Sequence, residues 1–256
     1  MDKTLKERLD EAAHRINSPE FIADDPVQFP RMFPEQEDAE IVALLAAMMA
    51  WGRRPMILRD VRRTLDLMDW QPKAYALSGQ WEELPDDMNL HRTMFARHLK
   101  YLMRGFREIY RKWGSLDAFC AAKVPAGADQ APWLFTEALS AVMQERNEGA
   151  FCPECIPSKL DSTALKRINM ALRWLVRDDG IVDMGLWRSL KPSQLYIPLD
   201  VHVGNVSRSL GLLTRKSNDR KAVLELTSAL RAFRPDDPTL YDYALFGLGV
   251  THTPLT

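Results

Sequence analysis

The stretch Pro198-Leu199-Asp200-Val201-His202-Val203-Gly204-Asn205-Val206-Ser207-Arg208-Ser209-Leu210-Gly211-Leu212 holds the side chain best placed to do chemistry. Pro198 keeps the chain before it extended. Asp200 then falls where a helix N-cap belongs, ahead of an apolar stripe of Val203, Val206 and Leu210. Free amide groups and the helix dipole stabilise a carboxylate there as the anion, so Asp200 is expected to stay ionised even when partly buried. An aspartate in that position is commonly a cap and nothing more, so its surroundings must decide its role. Two other patterns could carry chemistry. Cys152-Pro153-Glu154-Cys155 has the spacing of half a zinc site, but no second Cys/His pair lies near it in the chain, so no metal is expected. Between His91 and Trp113, Arg92, Arg97, Lys100, Arg104, Arg107, Arg111 and Lys112 are opposed only by Glu108. Such a face either meets phosphates or is simply solvated.

The elements that must position these residues read as helices almost throughout. A polar helix is expected over 2–16, then a proline-rich loop from Asp24 to Pro34. Asp38 is expected to cap a helix running to about Trp51 and apolar on every side from Ile41 to Met49, which marks a central, buried element ended by Gly52. Pro55 opens the next helix, with Ile57, Leu58, Val61, Leu65 and Met68 inward and Arg59, Arg62 and Arg63 outward. Phe95, Leu99, Leu102, Phe106, Ile109 and Trp113 recur at helical steps and predict one helix from His91 to Trp113. Further helices are expected over 132–146, from a cap at Asp161 or Ser162 to about Arg177, from Asp200 to Leu210, from a cap at Asn218 to about Phe233, and from Asp237-Pro238 onward. Residues 123–131, 147–160 and 178–199 read as loops or turns. No internal repeat or low-complexity tract is visible.

Asp-x-His-Val-x-x-Val followed by Leu-Gly-Leu, carried here by Asp200, His202, Val203, Val206, Leu210, Gly211 and Leu212, resembles the motif that follows the hairpin in helix-hairpin-helix DNA glycosylases of the endonuclease III kind. Within that superfamily the chain is similar to a bacterial family distantly similar to archaeal 8-oxoguanine DNA glycosylase. The resemblance implies an all-α, two-lobed helical bundle forming a single globular unit over 1–256. Lobe one would span roughly 38–146, and lobe two 1–37 together with 147–256. It implies a catalytic Asp200 that stabilises the oxocarbenium character of the sugar as the base leaves. It also implies a lysine nucleophile on an earlier helix. The candidate is Lys166, 34 residues before Asp200, in the first turn of its helix. There the positive helix end disfavours the ammonium and favours the neutral amine that forms a Schiff base.

The buried helix ending in Trp51-Gly52-Arg53-Arg54 is similar to the family's central helix, whose C-terminal end meets DNA near the flipped base. Trp51, Arg53, Arg54, His202, Arg173, Arg104 and Arg107 are accordingly the expected substrate or DNA contacts. For several of them a plainer role stands beside that one: core packing for Trp51, a local hydrogen bond beside the cap for His202, and structural ion pairs for Arg53 and Arg54. The chain also departs from the family pattern. The hairpin Leu-Pro-Gly-Val-Gly is absent, with Pro157-Ser158-Lys159-Leu160-Asp161-Ser162 in its place, which removes the usual backbone-amide grip on phosphate. Asn205 and Ser209 replace arginines, and the lysine-to-aspartate spacing is longer than in endonuclease III-like members. Four clustered cysteines are missing near the C-terminus, so no iron–sulfur cluster, and no other cofactor, is expected.

Composition narrows the function classes. The chain has 256 residues, 46% of them apolar and 27% charged, which is globular rather than disordered. Its 34 basic and 35 acidic residues give a net charge of −1, so any nucleic-acid binding must rest on local clusters of charge. The N-terminus has no apolar run behind a basic start, and Ile41–Trp51 is too short to span a bilayer, so neither a signal peptide nor a membrane span is expected. Cys120, Cys152 and Cys155 read as reduced thiols of a cytoplasmic, nucleoid-associated protein. The expected partner is double-stranded DNA with a damaged base, oxidised guanine first, and no obligate protein partner. A non-catalytic nucleic-acid-binding protein on the same fold, or a helical protein-interaction scaffold, is the alternative.

Overall fold

A computed structural model describes residues 4–251, and it is all-α apart from one two-stranded hairpin. The first helix, α1 (Leu5–Ile16), opens with a capping box in which the Thr4 hydroxyl accepts from the Glu7 amide and the Glu7 carboxylate accepts from the Thr4 amide. A short α2 (Pro19–Ala23) and two 3-10 turns at Pro26–Gln28 and Pro30–Met32 fill the proline-rich stretch. The central helix α3 (Gln36–Met49) is buried at every residue from Ala39 to Met49, as its all-round apolar pattern requires. It begins two residues before Asp38, which is not its cap. The Asp38 carboxylate instead accepts the Lys73 amide at 2.7 Å, at the start of α5 (Pro72–Ser78), and so ties two helices together. Between them, α4 (Arg54–Asp66) carries Pro55 in its first turn, where no amide is needed.

The expected helix from His91 starts later. Strands β1 (Asn89–His91) and β2 (Met94–Phe95) form an antiparallel hairpin turned at Arg92, whose φ is +50°. Only then does α6 (Ala96–Trp113) begin. The helical periodicity is continuous across this boundary, but His91 is fully buried and its ring is held on both sides: Nδ1 lies 2.8 Å from Asp60 Oδ2 and Nε2 2.9 Å from the Trp51 carbonyl oxygen. The ring is thus fixed by a bond at each nitrogen. These tertiary bonds hold the backbone out of the helix. After α7 (Leu116–Lys123), α6 packs against α8 (Ala131–Arg146) so closely that a Cβ on Gly105 would lie 2.1 Å from the Met143 sulfur.

Neither Asp161 nor Ser162 caps the next helix. Asp161 pairs with Arg220 at 3.3 Å, and α9 (Lys166–Val176) starts after Leu165, a buried residue in the left-handed region at φ +49°. In α10 (Val201–Ser209) Asp200 is the cap, its Oδ1 accepting the Val203 amide at 2.9 Å, and Gly211 follows at φ +72°. Asp219, not Asn218, caps α11 (Arg220–Phe233), and the Asn218 amide instead donates to the Asp200 carbonyl at 2.9 Å. The last element, α12 (Tyr241–Thr251), follows a 3-10 turn at Pro238–Leu240.

Helix α12 packs on both α1 and α10, joining the N-terminal and C-terminal parts of the chain. Helix α6 packs on α5 and α8, while α3 packs on α5 and crosses to α9. One continuous apolar core runs through all of them. No helix among the described residues is long and apolar enough to cross a membrane.

Glu40 on α3 is 0% exposed and accepts four hydrogen bonds: from Gln36 at 2.8 Å, the Tyr110 hydroxyl at 3.0 Å, and the Leu116 and Asp117 amides at 2.7 and 3.2 Å. Burial pushes its carboxyl above the usual range, against the pull of these donors. Glu40 thereby closes the start of α7 from inside the protein. Glu40→Ala should cost about 3 kcal/mol, because it strands two helix amides away from water, while the Tyr110 hydroxyl keeps the Glu37 carbonyl at 2.8 Å. Urea unfolding with an unchanged m-value is the check, and a loss under about 1 kcal/mol would mean that water replaces the carboxylate.

Candidate active-site cleft

A solvent-open cleft lies where α3, α4, α9, α10 and α12 converge. One face of α9 contributes Lys166, Met170, Arg173 and Trp174, at the steps of four and three that align on a helix. Ala50 and Gly52 come from the turn after α3, Arg54 and Ile57 from α4, Pro198, Asp200 and Val203 from the start of α10, and Asp242, Tyr243 and Phe246 from α12. Asp25 and Pro26 close the cleft from the N-terminal loop.

Lys166 and Asp200 therefore meet in one cavity, although far apart in the chain. Each stands at a helix N-terminus, Lys166 as the first residue of α9 and Asp200 as the cap of α10, and each is half-buried. The Lys166 ammonium rests 3.7 Å from the Met170 sulfur, a weak acceptor. The Asp200 carboxylate uses Oδ1 for the cap.

Two further carboxylates line the same space. Asp25 and Asp242 are 8% and 6% exposed. Burial pushes Asp25 up, while the Val27 amide and the charges of Arg173, Arg54 and Lys166 pull it back. Burial likewise pushes Asp242 up to about 6, with Arg173 and Lys166 opposing and the nearby Asp200 charge adding to the rise. Sequence reasoning passed over both. Asp242 had a signal, a lone charge in the apolar run Tyr241-Asp242-Tyr243-Ala244-Leu245-Phe246; Asp25, an ordinary acid before a proline, had none.

Arg173, expected to touch substrate, is 4% exposed and is already committed. It pairs with Asp242 through Nη1 and lies 3.3 Å from Asp183 through Nε, with its guanidinium 4.2 Å over the Tyr243 ring. One turn on, Arg177 bonds Asp179, Asp183 and Asp237. Arg173 thus reaches the cleft as the floor of an ion network rather than as a free cation.

Residues 25–251, which include every charged side chain of this cleft, match the family described as Protein of unknown function (DUF2400). The chain belongs to that family. No curated protein and no solved structure matches it.

Of the other expected site residues of this DUF2400 chain, all but Arg54 sit apart from the cleft. Trp51 turns to the opposite side of the 50–52 turn, into a second depression with Met48, Met94, His98, Cys155 and Arg167. There its ring lies between Arg92, 4.2 Å away, and Arg167, 5.9 Å away, with His91 against its edge. Gly52 has a φ of +113°, and a Cβ there would lie 2.8 Å from the Arg92 guanidinium, so the turn needs glycine. Arg53 is exposed at the N-cap of α4, whereas Arg54 lines the cleft with its guanidinium 5.5 Å from the Phe246 ring centre. His202 is exposed and lies outside the cleft, with its Cβ close to Gly249 of α12.

Arg104 and Arg107 line a separate hollow beside Trp81. Arg104 makes two 2.6 Å bonds to Glu82 and one of 3.0 Å to Asn147. Lys100, on the same helix, pairs with Asp86 at 2.7 Å. Part of the basic stripe of α6 is therefore matched by acids of the 80–87 segment, which lies outside the helix and so outside any periodicity count.

The acidity of Asp242 gives a pH signature. Its folded-state value, about 6, lies above the ordinary 3.8, so between those values the folded chain holds a proton that the unfolded chain has lost. Its contribution to stability is full below pH 4 and is lost as pH rises through 6. Asp242→Asn removes this loss. The variant's stability relative to the parent should climb by up to about 3 kcal/mol from pH 4 to 7.5, whatever its constant offset. Urea unfolding across that range measures it; a flat difference would place Asp242 at an ordinary acidity.

Proposed function

We propose that this chain is a DNA repair glycosylase that excises a damaged base by base flipping, and that it also has AP lyase activity. The observation that supports this reading is the opening of Lys166 and Asp200 into one solvent-open cleft, each from a helix N-terminus. The extruded nucleotide would enter between α9, α10 and α12, with part of the selectivity coming from the weaker stacking of a damaged base. Lys166 attacks the sugar C1′ through its side-chain nitrogen as the bond to the base breaks. The Asp200 carboxylate, anchored by the Val203 amide, stabilises the cationic sugar in the transition state. Asp242 lines the same cleft, and its acidity near 6 suits it to take a proton from the lysine nitrogen on attack and pass it to the departing base; the C1′–O4′ bond then opens, the remaining nitrogen proton going to O4′, to leave the Schiff base. Arg54 is the cation at hand for phosphate at the mouth. Oxidised guanine is the first substrate to test, on family resemblance.

A second reading, a nucleic-acid-binding protein without turnover, draws on one observation: the segment before α9 has no glycine from 150 to 165 and so offers no flexible amide hairpin to phosphate. A protein-interaction scaffold draws less support, since the large apolar side chains exposed among the described residues are Met32, Phe151 and Val201.

Borohydride trapping on a duplex containing 8-oxoguanine, together with an assay of free base, tests the proposal. The parent chain should give a covalent adduct and release base. Lys166→Ala should lose the adduct, and Asp200→Asn should slow base release by about 100-fold or more. Salt-sensitive binding with neither adduct nor free base, across a panel of oxidised and alkylated duplexes, would establish the non-catalytic reading instead.

A further inference from the structure

The connection between α8 and α9, residues 147–165, contains no helix or strand, yet it sets the start of the helix that carries Lys166. A loop of this length needs something to fix it. At its middle the Cys155 and Ile156 amides both bond the Cys152 carbonyl at 3.0 Å, forming a tight turn that brings the two thiols together. Their sulfurs are 3.2 Å apart, well beyond the roughly 2.05 Å of a disulfide. Glu154 Oε2 lies 3.7 Å from the Cys152 sulfur. The chain lacks a second Cys/His pair nearby in sequence, but the fold supplies a further donor from a distant helix: ligand atoms of His98, Cys152 and Glu154 all lie within 4.8 Å of one another. His98, Cys152 and Cys155 are buried, while Glu154 is exposed.

We infer that His98, Cys152 and Glu154, whose ligand atoms already cluster, form with Cys155, which adjoins them through the Cys152 sulfur and must swing toward His98 and Glu154, a binding site for a zinc-class divalent ion, which staples the 147–165 segment to the start of α6. Two thiolates, an imidazole and one carboxylate make a four-donor set of the borderline-soft kind, suited to zinc and poorly suited to magnesium or calcium. Around a tetrahedral zinc with bonds of about 2.3 Å, the two sulfurs stand about 3.8 Å apart. Loading therefore opens the crowded pair by roughly half an ångström, a shift available to a loop turn. Two existing bonds outside the ligand set must yield. The Cys155 thiol, which donates to the His98 carbonyl at 3.6 Å, gives up that bond on becoming a thiolate. His98 Nδ1 accepts the Phe95 amide at 2.9 Å. If Nδ1 binds the metal that acceptor is used, and if Nε2 binds, the ring proton moves to Nδ1, so either way the Phe95 amide is released.

The consequence reaches the cleft through Arg167, which follows Lys166. Its guanidinium bonds the Glu154 carbonyl at 3.2 Å and shares the second depression with Cys155, His98 and Trp51. A metal here pins the Glu154 backbone, and with it the first turn of α9. The site stands apart from the proposed chemistry, because none of its four ligands lines the Lys166–Asp200 cleft.

Cobalt(II) titration of the reduced, metal-stripped full chain is the test. The parent should bind one Co2+ with a thiolate-to-cobalt charge-transfer band and tetrahedral d–d absorption, both displaced by one equivalent of Zn2+. Cys152→Ser and Cys155→Ser should abolish the band, and His98→Ala and Glu154→Gln should weaken Zn2+ binding about 10- to 100-fold. Cys120→Ser and Lys166→Ala should leave it intact, which separates this outcome from the fate of the glycosylase proposal. Should the buried variants fail to fold, blocking the thiols of the folded parent with N-ethylmaleimide serves instead and should prevent binding. A parent chain that shows no charge-transfer band, or whose Cys152 and Cys155 react with the reagent equally fast with and without Zn2+, would overturn the site.

Discussion

Two guanidinium groups taken out of water must be met by carboxylates, and this requirement organises the C-terminal half of the protein. Arg173 and Arg177 are 4% exposed each, and Asp183 between them is 1% exposed. Asp183 comes from the turn-rich segment after α9, Asp237 from the turn before α12, and Asp242 from α12 itself. The Tyr243 ring covers both cations, at 4.2 and 5.7 Å. Burial works to lower both arginines' affinity for the proton, and the surrounding carboxylates more than reverse it, so both stay charged. Each arginine meets more than one carboxylate, so loss of either arginine would strand buried carboxylates, at a cost of about 3–5 kcal/mol. The network thus locks α9, the 178–199 segment and α12 into one arrangement, and the cleft is built on its edge.

That arrangement explains why the cleft acids differ from one another. Asp242 belongs both to the network and to the cavity, so its charge is shared with Arg173 while its surroundings are dry. Asp200 stands at a helix end where amide groups hold it. Lys166 faces them from the end of another helix. Three carboxylates and two further cations lie within one small volume, yet each is held by different physics: a buried ion pair, a cap, a loop bond, a ring contact. Sites that exchange protons commonly show such separation of environments.

The turn at 50–52 is a dividing wall. Ala50 and Gly52 face the cleft and Trp51 faces the second depression, while Lys166 and Arg167 divide in the same way on α9. His91 holds the wall from behind through the Trp51 carbonyl, and Asp60 on α4 holds His91. The hairpin that interrupts the long periodic stretch before α6 exists to place His91 there. Movement of this wall would be felt on both sides, by the cleft and by the Cys–His–Glu cluster.

The residue pattern by itself determined the all-α class, the burial of α3 and the cap at Asp200, because each follows from local rules: apolar spacing, proline and glycine punctuation, and a carboxylate before a helix. It also singled out Asp200, while Lys166 came only from the family resemblance. Other features were set by contacts between distant segments, which no local rule carries. Asp38 and Asn218 look like caps but serve other helices, since tertiary partners outbid the local ones. His91 fits a helical stripe yet is drawn out by two buried bonds. Part of the basic face of α6 is neutralised by acids from another segment, as Arg104 is by Glu82 and Lys100 by Asp86. Asp25 and Asp242 become cleft residues, and His98 meets a Cys pair more than fifty positions away, only when α6, α9 and α12 pack. Spacing along the chain sets which face of a helix a side chain occupies; packing against other helices sets what that side chain meets.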